Sequence, residues 1–196
     1  MSNFDLEAVT WEEIYSLLLD LSEKIRLDYK PEVLVGILRG GVFPALILSD
    51  LLGIKNLSTI GPRHYEGINR TMTQGILNQP VSFPLEYKKV LLVDDVADTG
   101  ESLTTAIKHI KEKGAKELRC ATIYYKPWST IRPDYYSRET EKWIVFPWEL
   151  RETIQDVLEE FERQGKTMEE AKRRLLASGI NKSLLEVFLQ EKGATN

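Results

Sequence analysis

The chain has 196 residues, 42% of them hydrophobic and 29% charged, and at about 100–200 residues per domain that supports one principal core and a small appendage. With 26 Lys+Arg against 30 Asp+Glu the net charge is −4, which argues against a general nucleic-acid binder, since such a protein needs positive surface to neutralise phosphates. Cys120 is the only cysteine, so an intrachain disulfide and a thiolate zinc cluster are excluded, and its expected place is that of a small buried hydrophobe on a strand.

The opening residues carry acids where a secretory signal needs a cationic flank, and no apolar run approaches the ~18 residues of a membrane span. A cytoplasmic protein that engages neither nucleic acid nor membrane is expected. Thr10 and Glu13 read as a capping box for a first helix over 11–27, with Ile14, Leu17, Leu18, Leu21 and Ile25 at helical spacing. The apolar run 32–38 reads as a strand ending at Arg39-Gly40-Gly41. Pro44 then opens a helix over 45–52, which Gly53 closes. A strand over 57–60 is followed by 61–85, a stretch with three prolines, three glycines and no period. Loops of this length are often lids over sites; Tyr65 is the candidate ordered contact in it, and His64 is a solvated side chain.

A strand over 89–94, a loop over 95–100 and a helix over 101–113 come next. They are followed by a strand over 118–125, a loop over 126–138 and a strand over 143–146. Apolar strands alternating with helices indicate an α/β fold whose mostly parallel sheet is flanked by helices on both faces. Ligands bind such sheets outside the carboxyl ends of the strands. Beyond Leu150 the chain has no strand pattern, and 152–163, 168–177 and 182–191 read as three helices. The expected division is a domain over 1–150 and a C-terminal all-helical extension over 151–196.

Chemistry concentrates in the segment from Val90 to Leu103. An apolar strand delivers Asp94 and Asp95 to the sheet edge, where carboxylates can accept from hydroxyls or bind a hydrated cation. Asp98-Thr99-Gly100-Glu101-Ser102 then turns into a helix, so backbone N–H groups and two hydroxyls converge on one point. A helix N-terminus of this kind cradles a phosphate, and a diol-binding acid pair beside it suits a ribose 5-phosphate. The alternative is that the acids and Thr99 merely cap the helix. Neither a P-loop nor a Gly-x-Gly-x-x-Gly fingerprint occurs in the chain.

This string resembles the phosphoribosyl-pyrophosphate (PRPP) signature of type I phosphoribosyltransferases. Arg39-Gly40-Gly41 stands where that family has its pyrophosphate loop, and a long loop separates the two motifs. Tyr125-Lys126-Pro127 and Trp143-Ile144-Val145-Phe146-Pro147-Trp148-Glu149 are similar to the purine end of its xanthine-guanine and hypoxanthine-guanine branch. The resemblance implies the type I phosphoribosyltransferase fold and transfer of ribose 5-phosphate from PRPP to N9 of a 6-oxopurine. Products are a nucleoside monophosphate and pyrophosphate, and the implied role is purine salvage.

It assigns Arg39, Gly40, Gly41 and the run Asp94, Asp95, Val96, Ala97, Asp98, Thr99, Gly100, Glu101 and Ser102 to PRPP. Asp94 and Asp95 take ribose hydroxyls and Mg²⁺, and Asp98 is the acid/base for the purine N7 proton. Lys126, Trp143, Ile144 and Glu149 are assigned to the base. Lysine only donates, which matches a 6-oxo group and opposes the 6-amino group of adenine. Relatives usually end the last motif in Asp, and Glu149 is one methylene longer; Trp143 and Trp148 can also be read as core aromatics. Members often carry a non-proline cis peptide at the pyrophosphate loop and assemble as dimers or tetramers. Use of another nucleobase, or a PRPP-sensing regulator on the same fold, are the alternatives.

Overall fold

A computed structural model describes residues 5–63 and 76–193. In chain order the elements are β1 (Leu6–Ala8), α1 (Trp11–Asp28), β2 (Val33–Ile37), α2 (Val42–Leu52), β3 (Leu57–Arg63), β4 (Ile76–Gln79), β5 (Lys89–Ala97), α3 (Glu101–Glu112), β6 (Glu117–Tyr125), β7 (Tyr135–Glu139), β8 (Trp143–Val145), α4 (Leu150–Arg163), α5 (Met168–Ala177) and α6 (Lys182–Gly193). The expected capping box starts α1: Glu13 accepts from the Thr10 N–H at 2.8 Å, and Thr10 Oγ1 accepts from the Glu13 N–H at 3.2 Å.

The chain divides into two compact units, Ile14–Thr140 and the pair Met1–Glu13 with Glu141–Asn196. The first holds a sheet of order β4-β3-β2-β5-β6-β7, parallel at every pairing except β3–β4. Every residue of β2 is buried. Val33, Val35, Ile37, Val90 and Leu92 share a core with Leu103, Ala106 and Ile110 of α3. Strand side chains alternate, and a Cβ on Gly36 would stand 2.9 Å from the Ala45 Cβ of α2; α2 therefore covers the opposite face. Leu34, Leu91 and Leu92 are wholly enclosed, and burial of each such side chain contributes about 1.5–3 kcal/mol.

Several boundaries differ from the sequence reading. β5 runs through Asp95 to Ala97, where a loop was expected, because its parallel pairing with β6 continues to Ala97–Tyr125. α2 begins at Val42 with Pro44 inside its first turn, where a proline is tolerated because those N–H groups have no intrahelical acceptor. The loop expected over 126–138 gives way at Tyr135 to β7, which runs to Glu139 and whose start is anchored by Asp134 accepting from the Cys120 N–H at 2.7 Å. The segment 61–85 includes the end of β3 and all of β4, while His64 and Tyr65 lie outside the described residues. Cys120 is buried on β6, as expected.

In the other unit, β1 and β8 form a parallel pair with Ile144 opposite Glu7. Its core joins Leu6 and Val145 to Ile154, Val157 and Leu158 of α4, Ala171 and Leu175 of α5, and Leu185 of α6. A capping box between Thr167 and Glu170 starts α5. Trp148 stacks on Phe146 at 4.8 Å between ring centroids and meets Trp11 at 5.5 Å, so it is a packing aromatic of this unit. No helix among the described residues is long and apolar enough to cross a membrane.

Candidate active site

The β2–β5 pairing ends at Gly36–Val93, so Asp94 and Asp95 follow at the carboxyl edge of the sheet. Both are buried, at 7% exposure. Asp94 Oδ1 accepts from the Asp95 N–H at 3.1 Å, and Asp95 Oδ1 accepts from the Val96 N–H at 2.8 Å. The Arg39–Gly41 turn presses its backbone onto this edge. A Cβ on Gly40 would lie 1.8 Å from Asp95 Oδ2, and one on Gly41 would lie 2.4 Å from the Val93 carbonyl oxygen. Only glycine permits that approach. The Leu38–Arg39 peptide is cis, and the Arg39 side chain is exposed.

Asp98 to Ser102 forms the turn into α3. Gly100 is its N-cap, with φ +87°, a conformation that disfavours any residue with a Cβ. A Cβ here would also stand 2.5 Å from Thr130 Oγ1. Capping explains little of this segment. Thr99 Oγ1 accepts from the Glu101 N–H at 3.4 Å, whereas the Asp98 carboxylate turns to Trp128 and accepts its indole N–H on Oδ1 at 2.8 Å.

The segment after β6 lies across this turn. The Lys126 N–H donates to the Ala97 carbonyl at 3.0 Å, and the Thr130 N–H donates to the Thr99 carbonyl at 3.1 Å; the Thr130 hydroxyl also donates to Thr99, at 2.8 Å. Lys126 is 4% exposed, with its Nζ 5.3 Å from the centroid of the Trp128 ring. Asp98 and Lys126, assigned to the same substrate from the sequence, are thus both joined to Trp128. Sequence reasoning assigned Trp128 nothing; an aromatic two residues beyond a lysine at a strand's carboxyl end was the available signal.

Trp143 and Ile144 sit on β8 and Glu149 is the N-cap of α4, all within the helical unit. Ile144 is buried, Trp143 is half-exposed, and the Trp143 N–H donates to the Asp5 carbonyl at 2.8 Å. Among the described residues no group of three or more His, Cys, Asp or Glu could form an all-protein metal cage. Two adjacent carboxylates instead fit a hydrated Mg²⁺, which is usually held by one or two carboxylates together with substrate phosphates.

The model of the phosphoribosyl transferase domain family matches residues 10–155. The chain belongs to the type I phosphoribosyltransferases, in their purine branch. A solved purine phosphoribosyltransferase of Pyrococcus horikoshii is similar to it at 41% identity and a TM-score of 0.68, over 74% of this chain and 93% of that one. The xanthine-guanine phosphoribosyltransferase of Cereibacter sphaeroides is 30% identical over 118 residues, 59% of this chain and 68% of its own length. The xanthine-guanine-hypoxanthine phosphoribosyltransferase of Helicobacter pylori shares the fold, with a TM-score of 0.65 at 23% identity over 77% of this chain and 98% of that one. The phosphoribosyltransferase fold and mostly parallel sheet expected from the sequence are those of the structure.

Proposed function

We propose that this phosphoribosyltransferase transfers ribose 5-phosphate from PRPP to N9 of guanine, xanthine or hypoxanthine, in purine salvage. One observation carries the reading: a buried Asp94–Asp95 pair closes against the Gly40 turn, and the Asp98–Ser102 turn follows on the same strand end.

In the transfer the bond from ribose C1 to the pyrophosphate oxygen breaks, the bond from C1 to purine N9 forms, and the N7 proton leaves the base. Asp98 accepts that proton, and Lys126 donates to O6. Asp94 and Asp95 orient the ribose hydroxyls. The N–H groups at Thr99 to Ser102, with the Thr99 and Ser102 hydroxyls, hold the 5-phosphate at the positive end of α3. The backbone of Arg39, Gly40 and Gly41 holds the pyrophosphate. Asp94 and Asp95, together with the substrate, would hold Mg²⁺, which would supply charge neutralisation for pyrophosphate departure. The assignment of Trp143, Ile144 and Glu149 to the purine rests on the sequence pattern alone.

We also assign the protein to the cytoplasm, and catalysis to a domain over 1–150 whose residues 1–13 and 141–150 pack in one unit with the extension over 151–196. A homo-oligomer, dimer or tetramer, is the proposed assembly; Phe43 and Leu46 on α2 expose apolar surface suited to one. The deciding experiment incubates the protein with PRPP, Mg²⁺ and single nucleobases and follows pyrophosphate release. Release with 6-oxopurines and little with adenine or pyrimidines is expected. PRPP binding with no release for any base would replace the enzyme with a regulator, and release with a pyrimidine alone would replace the purine.

A further inference from the structure

Trp128 is 54% exposed, so core packing does not account for it. Its backbone position is nonetheless fixed, since Lys126 and Thr130 on either side are hydrogen-bonded to Ala97 and Thr99. Between those two anchors the side chain reaches the residue between their partners, Asp98. Residues 126, 128 and 130 therefore engage 97, 98 and 99 in order. Among the described residues Trp128 is the side chain that donates to the Asp98 carboxylate. It occupies Oδ1. The face of the same ring carries the Lys126 ammonium, an arrangement favoured by the ring quadrupole.

We propose that Trp128 is a positioning residue for the reaction, aiming the Asp98 carboxylate through its indole N–H and seating Lys126 on its ring. The inference rests on the functional reading above, in which Asp98 takes the N7 proton and Lys126 meets O6. N7 and O6 lie on one edge of a 6-oxopurine, so the two protein groups must keep a fixed spacing to meet both atoms. An aspartate on a turn does not hold that spacing by its own two torsions. A rigid bicyclic ring with only two side-chain torsions, touching both, does. Hydrogen bonds to charged acceptors are also roughly twice as strong as neutral ones, so the Trp128–Asp98 bond has the strength to select one carboxylate orientation.

The test compares Trp128→Phe, Trp128→His, Asp98→Ala and the Asp98→Ala/Trp128→Phe double variant in steady-state assays with PRPP and guanine. Far-UV circular dichroism of each variant reads the fold. Trp128→Phe keeps a ring over Lys126 and removes the donor. It is expected to lower kcat about tenfold, the worth of one hydrogen bond to a charged group, and to leave the KM for PRPP unchanged. In Trp128→His the imidazole Nε2 takes the place of the indole Nε1, and most of the lost kcat returns.

In the Asp98→Ala background Trp128→Phe has no further effect, because a residue acting through Asp98 has nothing left to position. Wild-type kcat in Trp128→Phe, or the same tenfold loss in the Asp98→Ala background, overturns the proposal. Full activity in Asp98→Ala is a different result, which overturns the acid/base reading itself. A Trp128→Phe protein that fails to fold leaves the decision to Trp128→His, whose kcat must then exceed that of Asp98→Ala at least tenfold.

Discussion

The Asp95 carboxylate occupies the space that a side chain on residue 40 would need, with Oδ2 1.8 Å and Cγ 2.4 Å from the position of a Cβ on Gly40. The Arg39–Gly41 turn and the acid pair are therefore built as one piece. In Gly40→Ala either the turn lifts or Asp95 rotates away, and a misplacement of about 1 Å at a reacting centre costs about 10²-fold in rate. The expected result is a loss of that order in kcat/KM for PRPP, with far-UV circular dichroism unchanged. An unaltered KM and kcat would separate Asp95 from the ribose.

Asp98→Asn keeps the acceptor for Trp128 and removes the capacity to take a proton. Turnover falls by about 10²–10⁴, while PRPP affinity, read by calorimetry without a base present, stays close to that of the unmodified protein. Full turnover in this variant would remove the acid/base role.

Lys126→Ala deletes a donor enclosed to 4% exposure. Use of guanine and hypoxanthine should fall by about 10–10²-fold, the range for a hydrogen bond made by a charged group, and the residual rate with adenine should not fall. A parallel loss with adenine would show that Lys126 shapes the site and does not read O6.

Away from the site, the Tyr135 hydroxyl donates to Asp28 at 2.8 Å and Arg119 bridges both groups. The Tyr135 hydroxyl first, and the Arg119 guanidinium second, hold the Asp28 carboxyl below its ordinary value. A carboxyl lowered in the folded state stabilises the protein above its unfolded value, about 3.9, and that contribution is lost as pH falls through the folded value. Asp28→Asn should therefore melt at a lower temperature than the unmodified protein at neutral pH, and the gap should close below about pH 4. Melting curves recorded from neutral to acid pH check the sign; a gap that widens in acid would refute it.

The string from Val90 to Ser102 was legible because its parts are local: a run of apolar β-branched and leucine residues, two acids, then a turn glycine before a helix. The Arg39–Gly41 turn was legible for the same reason. Trp128 was not, because its contact with Asp98 is made by the parallel register that sets Ala97 beside Tyr125, and a register between distant strands leaves no periodic mark. β1 escaped because three residues cannot show a period, and its partner is β8. β7 escaped because Tyr-Tyr-Ser-Arg-Glu has no clean alternation and depends on Asp134 to dock it. Tyr65, expected as the ordered contact of the loop over the site, lies outside the described residues, as does His64.

The solitary thiol of Cys120 lies under the sheet at 5% exposure, and burial pushes its pKa up to about 12. Thiolates, not thiols, react with disulfide reagents, so this group is silent in the closed protein and reacts when the strands around it part. The chain thus carries its own single-site gauge of opening at β6. The rate at which it consumes a thiol reagent under native conditions reports how often that part of the sheet comes apart. The gauge needs no added label and is unaffected by the other side chains, because no second cysteine competes for the reagent.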